Sequence, residues 1–178
     1  MGSRRTAGAG GAAWWEGVAR VVFLGFFVSH IPATALVDAQ AVLPAWVFPG
    51  FARDALAWWV TSCGDPLMGA RPLWFRAIVT AEVTLQFPFF FYAIRGLLAR
   101  DDRIRVPCVA YAGHVCTTMV PILAELVWGG HAATASQRAL LVAVYLPYLV
   151  VPLGLLAFMA SAAAPFHRDR SARRLRVD

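Results

Sequence analysis

Four stretches of this 178-residue chain stay apolar for about twenty residues at a time, which leaves few folds open to it. They occupy approximately residues 18–37, 73–98, 104–127 and 139–160. A helix of that length spans the roughly 30 Å of hydrocarbon in a bilayer. The runs are continuous rather than alternating, and unpaired backbone is intolerable in lipid, so helices are expected and barrel strands are not. An apolar content of 60% places the chain in the same class. The expected fold is all-α, an integral membrane four-helix bundle with proline-kinked helices. The membrane domain covers residues 18–160, between an N-terminal segment, 1–17, and a basic tail, 161–178. No repeat or second-domain linker is visible.

The net charge of +6 is carried by sixteen arginines and no lysine. Arg4, Arg5 and Arg20 lie at the start of the first span, Arg95, Arg100, Arg103 and Arg105 between spans two and three, and Arg168, Arg170, Arg173, Arg174 and Arg176 after span four. Only Arg53, Arg71, Arg76 and Arg138 belong to the other side. The positive-inside rule then puts both termini in the cytosol and the loop 38–72 on the lumenal or extracellular side. Arginines that flank lipid spans without interleaved aromatics point to topology and anionic lipid, not to nucleic acid.

Cys63, Cys108 and Cys116 make an odd set with two members in the third span, so no disulfide framework is implied. The chain has no C-x-x-C, no His/Cys grouping at metal spacing, no glycine-rich phosphate loop and no G-x-S-x-G elbow. No cofactor or metal is expected. The start imitates a signal peptide, with a cleavage-like Ala33-Thr34-Ala35, but the apolar run continues past it. Met1-Gly2 with Thr6 fits the loose myristoylation pattern, which is redundant in a chain with spans.

Against this apolar background the polar residues stand out by depth. Glu82 and Gln86 sit one helical turn apart inside the second span, where an ionisable carboxyl costs about 2.5–3.5 kcal/mol unless a partner or cavity receives it. His30, Thr34 and Asp38 fall at i, i+4 and i+8 and would share one stripe of span one. Span three offers His114, Thr117 and Thr118, and span four Tyr145 and Tyr148. Taken singly, such threonines and tyrosines are ordinary interhelical glue, and Asp38 could be a solvated span end. Pro32, Pro88, Pro121, Pro147 and Pro152 lie beside these groups and predict four bends around a pocket. Apolar walls with a few orienting polar groups suit a sterol with one hydroxyl or a lipophilic amine. In the loop, Phe51, Leu56, Trp58 and Trp59 predict a short amphipathic interfacial helix that acts as a lid, and Asp65-Pro66 a turn or helix cap.

Phe27-Val28-Ser29-His30-Ile31-Pro32, continuing through Asp38-Ala39-Gln40-Ala41-Val42-Leu43-Pro44, resembles the first-span signature of the sigma-2 receptor (transmembrane protein 97) family. Asp65-Pro66-Leu67, the stretch from Glu82 to Phe90, His114 with Thr117-Thr118 and Pro121-Ile122-Leu123, and Val144-Tyr145-Leu146-Pro147-Tyr148-Leu149 agree with it. The likeness covers about residues 20–160.

The resemblance implies the EXPERA fold shared with the emopamil-binding protein, and a homodimer. It implies the endoplasmic reticulum membrane, with endolysosomal, nuclear and plasma membranes as further compartments. It also implies a role in cholesterol homeostasis alongside the Niemann–Pick type C transporter. Its site would use Asp38 against a ligand amine and Asp65 in support, with His30, Glu82, Gln86, Thr117, Thr118 and Tyr148 lining the cavity. Two alternatives stand beside this non-catalytic binder. The emopamil-binding relatives isomerise a sterol double bond, which needs an acid and a base, but where they carry a second glutamate this chain has Thr34. The third reading is a scaffold that escorts a sterol transporter.

Overall fold

The computed structural model describes residues 6–130, 134–161 and 166, with side chains from residue 14 onward. Arg4, Arg5, the five arginines of the tail and most of the N-terminal segment's side chains therefore lie outside the described residues. Among the described residues every regular element is a helix or helical turn.

The first span is α1, Thr6–Leu36, followed by a 3-10 turn over Asp38–Ala41. A second short turn leads to α2, Gly50–Cys63, and then α3, Pro66–Ala70. The second span is built from α4, Leu73–Ala81, a π-turn over Glu82–Gln86, and α5, Phe87–Ala99. The third is α6, Arg105–Trp128, and the fourth is α7, Ala135–Tyr145, joined to α8, Pro147–Ser161. Among the described residues four helical segments are long and apolar enough to cross a membrane: Trp14–Ala41, Leu73–Ala99, Asp102–Trp128 and Ala135–Ser161. The protein is a multi-pass membrane protein.

Two of the four expected proline breaks are register changes, and two are not. The Phe87 N–H bonds the Glu82 carbonyl five residues back, directly before Pro88, whose ring crowds the preceding turn and whose missing N–H cannot continue the ladder. Pro147 likewise separates α7 from α8 at Leu146. By contrast, α1 runs unbroken through Pro32 and α6 through Pro121. The fourth span also starts earlier than its apolar run, because Thr134 and Gln137 form a capping box that begins α7 at Ala135.

α1 packs on α5 and α8, and α6 packs on α8 and α7. Phe27 and Phe90 are fully buried on the α1–α5 seam, Leu155 and Met159 on the α8 side. Lipid tails are as apolar as leucine, so close packing and polar contacts, not burial from water, hold such a bundle. Gly96 shows how tight the fit is: a Cβ there would overlap the Ile104 side chain. Large apolar side chains, Leu73, Val120 and Trp128 among them, are left exposed on the outside, as the surface of a membrane bundle requires. Arg105 Nε donates to the Met159 carbonyl at 2.8 Å, and Arg100 lies 3.9 Å from Glu16. Those contacts gather the start of α1, the end of α5, the start of α6 and the end of α8 at one end of the bundle. The loop holding α2 and α3 covers the other.

Candidate functional site

Under that loop lies a cavity of about 390 Å³, within the range that holds drug-sized ligands. Four spans and the lid contribute to it. Leu56, Trp58 and Trp59 form its roof, Phe75, Ile78, Met119 and Ile122 much of its apolar wall, and His30, Asp38, Glu82, Gln86, Thr118, Tyr145 and Tyr148 its polar groups. A wider shallow groove of about 680 Å³ on the outer side of α6 and α7 has Arg138 as its one charged side chain and no convergence of polar groups. The chemistry is in the interior cavity.

Glu82 is received by span one. Thr34 Oγ1 donates to Glu82 Oε1 at 2.6 Å, and His30 Nε2 lies 3.5 Å from the same oxygen. The His30 ring is fixed by stacking on Phe90 at 4.8 Å and by edge contacts with Tyr148 at 4.7 Å and Phe26 at 5.0 Å. Asp38 stands just beyond the end of α1, at the start of the 3-10 turn, half-buried and turned into the cavity. Among the described residues no arginine pairs with Asp38 or Glu82. Among the described residues the cavity therefore holds two carboxyl groups and an imidazole at one end with no arginine, a disposition that suits a cationic or hydrogen-bonding ligand.

Asp65 sits behind the wall rather than in it. It caps α3, accepting from the backbone N–H groups of Leu67 at 2.9 Å and Met68 at 3.0 Å through Oδ1. Its Oδ2 accepts from Trp59 Nε1 at 2.8 Å and from the Tyr145 hydroxyl at 2.8 Å. One buried carboxylate thus ties the lid helix to the fourth span and orients two aromatic walls of the cavity. Gln40 Nε2 bonds the carbonyls of Leu36 and Ala52 at 2.6 and 3.0 Å, and Gln137 Nε2 bonds the Ser62 carbonyl at 3.1 Å. These bonds fasten α2 near both ends.

Of the residues singled out in the sequence, His30, Asp38, Glu82, Gln86, Thr118 and Tyr148 line the cavity. Thr117 does not: it is exposed on the outside of α6, its hydroxyl bonded back to the Gly113 carbonyl at 2.8 Å, and His114 shares that outer face. The inward face of α6 is Val115, Thr118, Met119 and Ile122. The ligand set implied by the resemblance left out Thr34, Trp59 and Tyr145, although Tyr145 stood among the polar groups of span four and Trp59 on the expected lid. Thr34 had a visible signal in the His30–Asp38 stripe, whereas the partnership of Trp59 and Tyr145 with Asp65 had none.

The family model described as EBP, the EXPERA or EXPanded EBP superfamily, matches residues 51–159. The chain belongs to the EXPERA superfamily. Its sigma-2 receptor character is equally plain. It is 38% identical over 146 residues to Sigma intracellular receptor 2 of Xenopus tropicalis, covering 78% of this chain and 85% of the relative. It is 35% identical over 160 residues to the Homo sapiens protein of the same name, covering 84% and 90%. Efficient mitochondria targeting-associated protein 19 of Saccharomyces cerevisiae is 24% identical over 148 residues. These two sigma relatives are named as receptors and not as enzymes, and the resemblance seen in the first-span and fourth-span motifs is that of a true family member.

Proposed function

We propose that this EXPERA protein is a non-catalytic receptor that binds sterols and lipophilic amines inside the membrane and serves intracellular cholesterol homeostasis and trafficking. One observation carries the reading: an apolar cavity of about 390 Å³ with Asp38 and Glu82 converging at one end. The greasy walls take up a rigid hydrocarbon body, and the carboxyl end fixes the one polar group such a body carries. Asp38 pairs with the ligand's ammonium or hydroxyl. Glu82 is oriented by Thr34, and Asp65 holds Trp59 and Tyr145 in place as walls.

The relatives' name, Sigma intracellular receptor 2, supports an intracellular membrane, which we take to be the endoplasmic reticulum. The arginines at the end of the bundle away from the lid support cytosolic termini. A homodimer, and work alongside a Niemann–Pick type C cholesterol transporter, complete the proposal. The test is equilibrium binding of a radiolabelled lipophilic amine to the purified protein, with bound sterol identified by mass spectrometry. Saturable amine binding that Asp38→Asn abolishes supports the reading; binding indifferent to Asp38→Asn and Glu82→Gln rejects it.

A further inference from the structure

The sequence has no grouping at metal spacing, yet the fold brings three ligand-type side chains to one point. A nitrogen of His30 and a carboxylate oxygen from each of Asp38 and Glu82 lie within 4.8 Å of one another at the polar end of the cavity. We infer that His30, Asp38 and Glu82 form a binding site for a divalent transition-metal ion of the zinc type, and that this ion and a ligand's ammonium exclude each other there. The second half rests on the proposed function; the first half does not.

Zinc bonds nitrogen and oxygen ligands at about 2.0–2.2 Å, so a tetrahedral site has ligand–ligand edges of about 3.3–3.6 Å. His30 Nε2 and Glu82 Oε1, at 3.5 Å, already stand one such edge apart. To complete such a set Asp38, at the start of the 3-10 turn beyond the end of α1, has to close in by about 1 Å from the 4.8 Å that bounds the three ligand atoms. The other two ligands are held in place. Thr34 fixes the Glu82 carboxylate at 2.6 Å, the outer support that a metal-binding carboxylate needs. Phe90 and Tyr148 fix the imidazole plane.

His30 supplies the independent observation. It is more than nine-tenths buried, its Nε2 is turned toward the carboxyl of Glu82, and among the described residues its Nδ1 has no hydrogen-bond partner, so no bond at that nitrogen commits the ring to another role. Two carboxyl groups with no arginine beside them among the described residues suit a cation, and the imidazole nitrogen next to them selects which kind. Magnesium and calcium want six or more oxygens, whereas one nitrogen with two oxygens suits zinc and leaves a position for water or ligand. The unpartnered Nδ1 also sets the strength. A metal-bound histidine without support at its second nitrogen binds about 10–100-fold more weakly, so this site is exchangeable rather than structural.

The experiment uses the full-length protein purified in detergent and stripped with a chelator. Zinc is titrated by calorimetry, and cobalt is followed by its visible absorption as a probe of four-coordinate nitrogen–oxygen geometry. The wild type is expected to show one saturable site, unaffected by excess magnesium. His30→Ala is expected to weaken binding at least tenfold, while His114→Ala, on the outer face, leaves it unchanged. Glu82→Gln, which keeps the side-chain shape, gives the second variant. Absence of saturable zinc or cobalt binding by the wild type overturns the inference, as does undiminished binding in both His30→Ala and Glu82→Gln. Amine binding without zinc uptake sinks the metal site and leaves the receptor reading standing. Zinc uptake that fails to displace a labelled lipophilic amine overturns the claim of mutual exclusion.

Discussion

Replacing Asp65 with asparagine separates two jobs that one carboxylate performs. Asparagine keeps a carbonyl oxygen where Oδ1 caps α3, so the bonds from Leu67 and Met68 survive. At the other position an NH₂ group faces two donors, the Trp59 indole and the Tyr145 hydroxyl, and can accept from neither. Hydrogen bonds to a charged group are worth roughly 1.5–3 kcal/mol each, so losing both costs about 3–6 kcal/mol shared between folding and the shape of the cavity. If half of the smaller figure falls on binding, affinity for a lipophilic amine drops about tenfold, since 1.4 kcal/mol is a factor of ten. Asp65→Ala also removes the cap, for roughly 1 kcal/mol more in stability. The assay pairs thermal unfolding in detergent with amine binding for Asp65→Asn, Trp59→Phe, Tyr145→Phe and the double variant. Each single aromatic change should cost less than Asp65→Asn, and the pair should approach it. An Asp65→Asn protein with unchanged melting and unchanged affinity refutes the assignment of Asp65 as the post that holds the lid to the fourth span.

Asp38→Asn leaves the shape of the cavity intact and removes the charge opposite an ammonium; the loss of about 3 kcal/mol typical of a broken buried pair reads as roughly a 100-fold fall in amine affinity, while Thr117→Val, on the outside of α6, leaves affinity within twofold. Thr34→Val deletes the donor to Glu82 and should lower stability by about 2 kcal/mol, measured as a lower Tm in detergent; an unchanged Tm argues that Glu82 is held by something else. Gly96→Ala forces a Cβ into Ile104 and should destabilise by about 1–3 kcal/mol, with Ile104→Ala restoring part of the loss in the double variant; no destabilisation would mean that the α5–α6 corner is slack.

How far the sequence could be read follows from what lipid does to pattern. Run length alone is enough for four spans, because nothing else requires twenty apolar residues in a row. The inward faces were harder. In a soluble helix polarity marks the outside, but in a membrane helix both faces are apolar, so the placement of Thr117 and Thr118 on neighbouring faces of α6 is set by packing against α8 and not by composition. Glu82 and Gln86 were legible since a carboxyl in that setting needs a cavity. The π-turn that carries them was not, for its wide register comes from the backbone upstream of Pro88. Asp65 read as a cap, and it is one. Its second role depends on Tyr145, eighty residues away in sequence, and no local signal reports such a pairing.

The central claim is that a greasy cation or sterol lodges between Asp38, Glu82 and the α2 lid. Photocrosslinking a lipophilic amine with a reactive group on its hydrocarbon body, followed by peptide mapping, tests it directly. The account predicts label on the peptides carrying Trp59, Ile78 and Met119, lost when unlabelled ligand is in excess. Label confined to outward residues such as Val120 and Trp128, and insensitive to competitor, would contradict it.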